Sequence, residues 1–502
     1  FAVMTRDIET ARSLATISPE AAILLASIAR PIVLAPAIVE LDSVAPGNDS
    51  IGIMLPYTPL HYLLFANGAP DALVMTSGNR SSEPIAYEDD DAITRLDGIA
   101  DAFLIGERPI ARRVEDSVAR VGAMGLVILR RSRGYAPGAV TTLPVTKPIL
   151  AVGADLKSAV TLVVDGQAFV SQHLGDLDDY SAYRAFEDTV GDLLSMYNVR
   201  HEDLVVVSDL HPQYRSTAYA KKLHAASMFP VQHHRAHVAS VLAERSEWTR
   251  RVVGVALDGT GFGDDGTIWG GELFVGNVAK GFDRIGHLRK AKLAGGDAAA
   301  HHPVQAAAGF LQQLDSLPDF ELPPFGFPPR YRKTLQLLDS GTRVFETTSA
   351  GRLFDTVAAL LGFTREITFE GQAAIWLEQL ARKSVVTEAY EFPFVDGELD
   401  FRPLLTSVIN ERASGRNTSD IARVFHTGLA RGTCAALATS CAIHGTDTVV
   451  ASGGVFQNEL LLQDLNNLLS ERKLSLWTNH LVPPNDGGIS LGQAALAAFH
   501  HA

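Results

Sequence analysis

The chain has 502 residues, more than a single hydrophobic core usually organises, so we expect two or more domains. Its net charge of −14 opposes unaided binding to a nucleic-acid backbone, and no apolar run is long enough to form a transmembrane helix. Cys434 and Cys441 lie in an alanine-rich helical stretch and can form neither a disulfide framework nor a cysteine-based zinc site. We therefore expect a cytoplasmic protein that binds neither nucleic acid nor membranes.

Residues 1–140 alternate short apolar strands with helical stretches, a pattern typical of an α/β domain. Strands are predicted within 29–36, 71–79 and 125–134. The first residues read as the middle of a strand, so we expect that the beginning of this domain is missing. Prolines recur between 137 and 148 without any helical period, and we predict a linker over residues 141–148.

The region 149–502 contains two segments built on one plan. Residues 149–172 and 252–276 each read as an apolar strand, a polar turn and a hairpin closed by Asp-Gly. This repetition predicts an internally duplicated, actin-like domain. A further apolar strand within 446–465 ends in a Gly-Gly turn before an amphipathic helix. Residues 281–347, which contain many prolines, allow little assignment.

The turns at these strand ends have the composition of phosphate-binding loops. Glycine lets backbone N–H groups approach phosphate oxygens closely, and a nearby carboxylate can hold Mg²⁺. One such turn is more often a plain tight turn, but three at comparable strand ends favour an ATP site. The residues that these turns offer to the nucleotide and its cation are Asp155, Lys157, Asp258, Gly259, Gly261, Gly453 and Gly454.

The segment 231–244 reads as a helix that carries a pair of histidines. His233 and His237 are four residues apart, so both imidazoles project from one face and can share a metal ion. His234 points elsewhere. Two imidazoles make an incomplete site, and the carboxylates of Asp258 and Asp486 are the candidates to complete it. This mixed set of nitrogen and oxygen ligands suits Fe²⁺, Zn²⁺ or Mn²⁺, although histidines with no ligand role remain the alternative.

Polar side chains also cluster in residues 1–140. A strand near 71–75 is followed by hydroxyl and amide side chains, which include Ser77 and Asn79. Two later segments, 108–117 and 130–137, are rich in arginine, the side chain best suited to bidentate capture of phosphate or carboxylate. A solvated basic face is the other interpretation of these arginines.

Taken together, these segments are similar to those of a known family. Residues 1–140 resemble the latter part of a YrdC-type domain, through TSGNRSSEPI (76–85), RPIARRVEDSV (108–118) and RRSRGYAP (130–137). Residues 149–502 resemble the nucleotide-binding domain of TsaD-type carbamoyltransferases. The matching segments are GADLKSA (153–159), QHHRAHVAS (232–240), LDGTGFGDDGTIWGGE (257–272), SAGRLFDTVAALLG (349–362), EGQAA (370–374), ASGGVFQN (451–458) and NDGGISLGQ (485–493). This domain order resembles that of the HypF family, the carbamoyltransferases of nickel–iron hydrogenase maturation.

The resemblance implies a two-step reaction. A first site would combine ATP with carbamoyl phosphate, or with the carbamate made from it, to give carbamoyl adenylate. A second site would pass the carbamoyl group to the C-terminal cysteine of a HypE-like acceptor protein, as the precursor of the cyanide ligands on the hydrogenase iron. The implied cofactors are ATP, Mg²⁺ and one transition metal ion, Fe²⁺ or Zn²⁺.

The resemblance also assigns roles to individual residues. ATP and carbamate in the first site would be held by Ser77, Asn79, Arg112, Arg113, Arg131 and Arg133. The metal in the second site would be bound by His233, His237, Asp258 and Asp486. The second nucleotide pocket would be lined by Asp155, Lys157, Gly259, Gly261, Gly351, Asp355, Gly453, Gly454 and Asn458. Glu107 and residues 301–305 depart from the family pattern, which puts local substrate contacts in doubt.

Three other functions stay open. A TobZ-like O-carbamoyltransferase would act on a hydroxyl of a small molecule, but such chains have the opposite domain order. A system for threonylcarbamoyl transfer to tRNA would need a basic groove, which the net charge of −14 disfavours. A non-catalytic, nucleotide-dependent regulatory module would have no need of the pair His233 and His237 beside the nucleotide.

Overall fold

The computed structural model describes residues 1–41, 43–80, 83, 85–296 and 298–500. Positions 81, 82 and 84 of the segment 76–85, and the last two residues of the chain, lie outside the described part. The chain forms two compact units, residues 1–229 with 480–502, and residues 230–479. We call them the first unit and the second unit. Within the described residues, no helix has both the length and the apolar character needed to cross a membrane.

The first unit begins with a mixed six-stranded sheet. Its elements are β1 (Ala2–Thr5), α1 (Ile8–Leu14), α2 (Pro19–Ala26), β2 (Ile32–Pro36), β3 (Ser50–Met54), α3 (Pro59–Ala66), β4 (Ala72–Met75), α4 (Asp89–Leu96), β5 (Val118–Gly122) and β6 (Gly125–Arg130). The strand order is β4-β1-β3-β2-β5-β6. The pairs β1–β3 and β2–β5 are parallel, and the other neighbours are antiparallel.

The helices of this first sheet start where the sequence supplies a cap. The side chains of Asp7, Ser18 and Thr58 accept backbone N–H groups at the starts of α1, α2 and α3. A proline also occupies the first turn of α2 and α3, where its missing N–H costs nothing. The predicted α/β character of residues 1–140 is therefore confirmed.

A second six-stranded sheet completes the first unit. Its elements are β7 (Ala139–Thr142), β8 (Ile149–Ala151), β9 (Thr161–Val164), β10 (Gln167–Val170), α5 (Tyr180–Met196), a 3₁₀ turn (His201–Asp203), β11 (Val205–Asp209), α6 (Arg215–Lys222) and β12 (Ser227–Val231). The strand order is β12-β11-β8-β9-β10-β7. β7 reaches into the segment that the sequence predicts as a linker, because Ala139 to Thr142 pair with β10.

The second unit is built on a nine-stranded sheet. Its elements are α7 (His233–Ala243), β13 (Val252–Phe262), β14 (Ile268–Asn277), β15 (Gly281–Leu288), β16 (Ala291–Ala294), α8 (Ala298–His301), α9 (Pro303–Leu311), α10 (Arg330–Ser340), β17 (Val344–Thr347), α11 (Ala350–Leu361), α12 (Gln372–Arg382), β18 (Phe394–Val395), β19 (Glu398–Leu399), α13 (Arg402–Ala413), α14 (Thr418–His444), β20 (Thr448–Ser452), a 3₁₀ turn (Gly454–Gln457), α15 (Glu459–Glu471) and β21 (Ser475–Trp477). The main path is β18-β19-β15-β14-β13-β20-β21, and β16 and β17 attach through β14.

The last part of the chain returns to the first unit. A 3₁₀ turn (Asp486–Gly488) leads into α16 (Ile489–His500), which packs on β8, β9 and β11. Gln493 on this helix accepts the backbone N–H of Gly153 at 2.9 Å. Asn485 donates to the carbonyl oxygen of Leu129 at the end of β6, at 3.1 Å. The first unit is therefore formed from two separate stretches of sequence.

The second six-stranded sheet and the nine-stranded sheet share a topology, which confirms the predicted duplication. In the first unit β8, β9 and β10 form an antiparallel meander, and β11 pairs parallel with β8. In the second unit β13, β14 and β15 form the same meander, and β20 pairs parallel with β13. The first hairpin turns at Asp165 and Gly166, whose φ angles of 50° and 77° are those of the predicted tight turn.

Candidate functional site

Helix α7 carries the histidine pair of the predicted metal site. Gln232 caps the helix, because its side-chain oxygen accepts the N–H of Arg235. His233 and His237 are one helical turn apart and point to the same side, with ring centroids 5.1 Å apart. Both side chains are fully buried. The helix therefore presents two imidazoles together, as their spacing in the sequence predicts.

Asp258 faces this pair from the strand β13. Its Oδ2 lies 3.2 Å from Nε2 of His237 and 3.4 Å from Nε2 of His233. Its Oδ1 accepts the backbone N–H groups of Gly259 and Gly454, at 2.8 and 3.1 Å. The ligand atoms of the two histidines and Asp258 lie within 4.8 Å of one another. The carboxylate of Asp258 thus contacts the histidine helix, Gly259 of β13 and Gly454 after β20.

The chemistry of this cluster fits a metal ion. Burial by itself would raise the pKa of Asp258, but hydrogen bonds and charge from His233 and His237 hold that pKa well below its usual range. An ionised carboxylate beside two imidazoles is a mixed nitrogen and oxygen donor set of the kind that Fe²⁺ and Zn²⁺ accept. Asp486 is buried in the first unit at the start of a 3₁₀ turn, and its place as a ligand stays a prediction.

Three glycines of the predicted nucleotide pocket, Gly261, Gly351 and Gly453, lie where no side chain would fit. A Cβ at Gly261 would come within 2.5 Å of the His234 ring, and one at Gly351 within 2.9 Å of Cα of Gly259. Gly453 has a φ of +104°, and a Cβ there would lie 2.3 Å from a carbonyl oxygen of β13. These strand ends therefore approach one another so closely that only glycine is accepted, which leaves backbone N–H groups near Asp258.

The start of helix α11 lies against Gly259 of β13. Ser349 caps this helix and donates its hydroxyl proton to the carbonyl oxygen of Gly259, at 2.7 Å. One turn later Arg352 lies 3.0 Å from Asp355. Burial raises the pKa of Asp355, and the charge of Arg352 opposes that rise. The structure thus brings Gly351 and its helix to Gly259, as the resemblance implies.

Asn458 is held in place by a buried histidine. Its Oδ1 accepts the N–H of Leu461 and caps α15 at 2.9 Å, while its Nδ2 lies 3.0 Å from Nε2 of His426. The other ring nitrogen of His426 lies 2.7 Å from the carbonyl oxygen of Ala422. The amide of Asn458 therefore has a defined orientation at the end of the turn that contains Gly453 and Gly454.

In the first unit, Asp155 acts as a cap on a neighbouring helix. Its carboxylate accepts the N–H of Arg215 at 2.7 Å and both the N–H and the hydroxyl of Ser216, at 3.0 and 2.8 Å. Burial raises the pKa of Asp155, and these hydrogen bonds oppose the rise. Lys157 adopts a φ of +44°, and its N–H donates to Asp176 at 2.8 Å. The polar turn is thus fixed by α6 and by the loop after β10.

The predicted residues of the first catalytic site differ in exposure and in partners. Ser77 is exposed on the turn after β4 and donates its hydroxyl proton to Asn79. Arg112, on the surface, forms an ion pair with Asp192 of α5 at 2.8 Å. Arg113 donates to a backbone carbonyl of the loop after β10 at 3.2 Å. Both arginines therefore contact the part of the first unit that follows the predicted linker.

Arg131 and Arg133 bind groups of the protein itself. Arg133 donates to Asp116 at 2.7 Å, and its guanidinium carbon lies 3.5 Å from the ring centroid of Tyr57. The buried guanidinium of Arg131 donates to the backbone carbonyl oxygens of Tyr135, Gly138, Val170 and Ser171. The role of these arginines in binding ATP or carbamate stays a prediction.

Polar residues around the histidine helix were not predicted from the sequence. Gln232 donates to the carbonyl oxygen of Phe262 at 3.0 Å and also contacts the ring of His234 at 3.1 Å. Glutamine is not among the residues preferred at a helix N-cap, so the sequence gives no clear signal for the role of Gln232. Ser452 and Asn479, which lie near His237, carry no local signal either, because they are more than 200 positions away in the sequence.

Comparisons with known proteins match three parts of the chain to family models. Residues 1–132 match the Sua5/YciO/YrdC family, which is described as "Telomere recombination". Residues 144–244 match the "HypF Kae1-like domain". Residues 254–493 match "Carbamoyltransferase, Kae1-like Domain, second subdomain".

Similar proteins cover almost the whole chain. Carbamoyltransferase HypF of Synechocystis sp. is 39% identical over 94% of this chain and 63% of its own length. Carbamoyltransferase HypF2 of Cupriavidus necator is 37% identical over 99% of this chain and 67% of its own. A crystal structure of full-length HypF in the phosphate- and nucleotide-bound form matches with a TM-score of 0.92 at 37% identity, over 99% of this chain and 79% of that one. The chain thus spans 63% to 67% of these two curated relatives, and the predicted YrdC-like and actin-like folds are confirmed.

Proposed function

Because the chain belongs to the HypF carbamoyltransferase family, we propose that it makes carbamoyl adenylate and transfers the carbamoyl group to a cysteine of an acceptor protein. The observation that carries the proposal is the cluster of His233, His237 and Asp258 beside the glycine turns of the second unit. A regulatory module that only binds nucleotide has no need of two buried imidazoles at that place. The acceptor we propose is the C-terminal cysteine of a HypE-like protein.

Within the first step, the formation of carbamoyl adenylate belongs to residues 1–140. Carbamoyl phosphate is hydrolysed to carbamate and phosphate, and an oxygen of carbamate then attacks the α-phosphorus of ATP, bound with Mg²⁺. Pyrophosphate leaves, and carbamoyl adenylate remains. The exposed turn with Ser77 and Asn79 offers hydroxyl and amide groups to these ligands. The resemblance adds a set of arginines, namely Arg112, Arg113, Arg131 and Arg133.

The second step takes place at the glycine turns of the second unit. The cysteine sulfur of the acceptor attacks the carbamoyl carbon, the bond from that carbon to the AMP oxygen breaks, and AMP leaves. Gly453 would lie against the phosphate of the adenylate, while the N–H groups of Gly259 and Gly454 donate to Asp258 and hold that carboxylate in place. The burial of His233 and His237 keeps water from the labile carbamoyl group.

A transition metal ion fits the second step. We propose that His233, His237 and Asp258 hold Fe²⁺ or Zn²⁺, with Asp486 as the fourth ligand. Such an ion, when bound, polarises the carbamoyl carbonyl. The other residues that we propose for this nucleotide pocket are Asp155, Lys157, Gly261, Gly351, Asp355 and Asn458. Asp155 and Asn458 would act through the helices that they cap.

The proposal is tested by mass spectrometry of the acceptor. The full chain is incubated with ATP, carbamoyl phosphate and a HypE-like protein, and the C-terminal peptide of the acceptor is weighed. We expect one carbamoyl group on its cysteine. For His237→Ala we expect loss of bound metal and of transfer, while ATP-dependent release of pyrophosphate persists, because the first step lies in the other unit.

His234→Ala is the matched control, because His234 lies on the same helix with equal burial and faces Trp269. This variant should keep its metal. Absence of the adduct with both carbamoyl phosphate and pre-made carbamoyl adenylate would contradict the proposed function. Unchanged metal content in His237→Ala would contradict the metal site.

A further inference from the structure

A closed ring of hydrogen bonds lies behind His237, on the side away from Asp258. Nδ1 of His237 lies 3.5 Å from Oγ of Ser452, the last residue of β20. Ser452 in turn contacts Oδ1 of Asn479 at 2.8 Å, and Nδ2 of Asn479 contacts Oγ of Ser240 at 2.9 Å. Ser240 closes the ring on the carbonyl oxygen of His237 itself, at 2.7 Å.

The direction of each hydrogen bond follows from the donors that are present. A backbone carbonyl can only accept, so the hydroxyl proton of Ser240 goes to His237. Ser240 must then accept from the amide N–H₂ of Asn479, which turns the amide oxygen toward Ser452. Ser452 donates its single proton to that oxygen and can only accept from the ring. When a metal takes the place of the hydrogen bond between Nε2 of His237 and Asp258, the ring proton must be on Nδ1, and Oγ of Ser452 is the acceptor that this arrangement offers it.

This protonation state decides which nitrogen can bind a metal. With the proton on Nδ1, Nε2 of His237 keeps its lone pair, and Nε2 is the atom that faces Asp258 at 3.2 Å. All members of the ring are buried, with exposed fractions of 0% or 1% for Ser240, Ser452 and Asn479. No bulk water is available to replace a lost partner, so each link depends on the others.

We propose that Ser452, Asn479 and Ser240 are positioning residues that fix the tautomer and the ring orientation of His237 for the metal of the transfer site, an inference that rests on the proposed function. The ring joins three separate elements, because Ser240 is on α7, Ser452 ends β20 and Asn479 follows β21. It thereby anchors the histidine helix to the parallel edge of the nine-stranded sheet. Partners of this kind raise the basicity of a ligating imidazole and hold its plane.

The test measures metal affinity in the full chain, by competition with a chelator of known affinity for Zn²⁺. We expect Ser452→Ala to bind Zn²⁺ about 10- to 100-fold more weakly, because the imidazole loses its hydrogen-bond acceptor. With Co²⁺ as the probe, the visible absorption bands should shift, since the ligand geometry changes. Binding of ATP and the unfolding midpoint of the metal-free chain should stay near the parent values. Ser452→Thr, which keeps the hydroxyl, should restore most of the affinity.

Two further variants make the outcome decisive. Asn479→Leu breaks the ring at another link, and we expect a similar loss of affinity with little further loss in the double variant, because the ring acts as one unit. Ser208→Ala is the matched control: it removes a fully buried hydroxyl near the end of β11, in the first unit, and should change nothing.

Zn²⁺ affinity within twofold of the parent in both Ser452→Ala and Asn479→Leu, with an unchanged Co²⁺ spectrum, would overturn the inference and leave the proposed function standing. A parent chain that binds no metal would overturn both. If Ser452→Ala does not fold, Asn479→Leu carries the measurement alone.

Discussion

Two basic side chains of the first unit, the buried Arg131 and the partly buried His173, respond differently to their surroundings. Burial lowers the pKa of Arg131 to about 10, so the guanidinium stays charged at neutral pH. Burial, together with the positive charges of Arg130 and Lys157, lowers the pKa of His173 to about 3. The His173 ring is therefore neutral at neutral pH. A fall in pH should therefore change the charge of His173, because Arg131 is already charged at neutral pH.

We predict that His173 makes the first unit sensitive to mild acid. Its pKa is near 6.5 in the unfolded chain and about 3 in the folded one, so unfolding takes up a proton below pH 6.5. The free energy of unfolding should fall by up to about 1.4 kcal/mol per pH unit as the pH drops through this window. Urea unfolding between about pH 7 and pH 5 measures the slope. His173→Gln should have a shallower slope, and equal slopes would contradict the prediction.

At the scale of single residues, contacts between positions that are close in the chain were predictable from the sequence. The spacing of His233 and His237 was enough to place both rings on one face. It did not reveal the role of Asp155, because its partners on α6 lie 60 positions away. The arginine-rich segment likewise does not show that Arg131 binds carbonyl oxygens, since residue type identifies a donor but not its acceptor.

Helices and strands in the second unit pack closely at glycines. Helix α9 lies against β16 at Gly309, where a Cβ would come within 1.6 Å of the carbonyl oxygen of Lys292. Gly191, in the middle of α5, has no atom within 4 Å of the same position. Both glycines are helical, so the two sites differ in packing and not in backbone preference.

We predict opposite effects of one substitution at these two sites. Gly309→Ala should lower the free energy of unfolding by about 1–3 kcal/mol, because the helix must move away from the strand. Gly191→Ala should raise it by up to about 1 kcal/mol, through the better helix propensity of alanine. Urea denaturation of both variants gives the comparison. Equal effects at the two positions would show that α9 has room for a methyl group.

Elements with a clear period or a clear turn were predictable, and the others were not. The Asp-Gly turn at Asp165 and the strand end before Gly453 fall where the sequence predicts them. The predicted strand end at Asp258 is wrong, because β13 continues through an irregularity in its pairing to Phe262. Residues 281–347 allowed little assignment, yet they contain β15 to β17 and α8 to α10. Within this region β17 pairs with β14 and β15 pairs with β19, and both partners lie far away in the chain, so local sequence patterns do not show these pairings.

At the scale of the whole molecule, Arg131 joins the two sheets of the first unit. It follows β6 of the first sheet, and its guanidinium donates to the carbonyl oxygen of Val170 in β10 of the second sheet, at 2.6 Å. The same group satisfies the carbonyl oxygens of Tyr135 and Gly138 in the connection between the sheets, at 2.8 and 3.0 Å. Removal of the side chain would leave several carbonyl groups without this donor.

We predict that Arg131→Met destabilises the first unit by about 3 kcal/mol, the cost of leaving buried carbonyl groups unsatisfied. Arg12→Met is the control, because Arg12 forms an exposed pair with Glu9 and should change stability by less than about 0.5 kcal/mol. Urea unfolding measures the loss of stability. Limited proteolysis of the segment between the two sheets reports whether that connection has become accessible. Equal stability of the two variants would assign Arg131 no role in holding the sheets together.

The family resemblance and the two compact units place the main division of the chain at different positions. The predicted boundary at 141–148 follows the sequence motifs, and it stays a prediction. The compact units instead place 149–229 and 480–502 with the first sheet. This grouping depends on α16 packing against β8 and on Asn485 contacting β6, and contacts between such distant segments leave no trace in local sequence patterns.

The return of the chain to the first unit has a consequence for the order in which the protein is made. Synthesis proceeds from the N-terminus, so residues 480–502 leave the ribosome after all of the second unit has been translated. Until then β8, β9 and β11 lack the helix α16 that covers them. A nascent chain must therefore keep these apolar strands from aggregating for as long as the second unit takes to emerge.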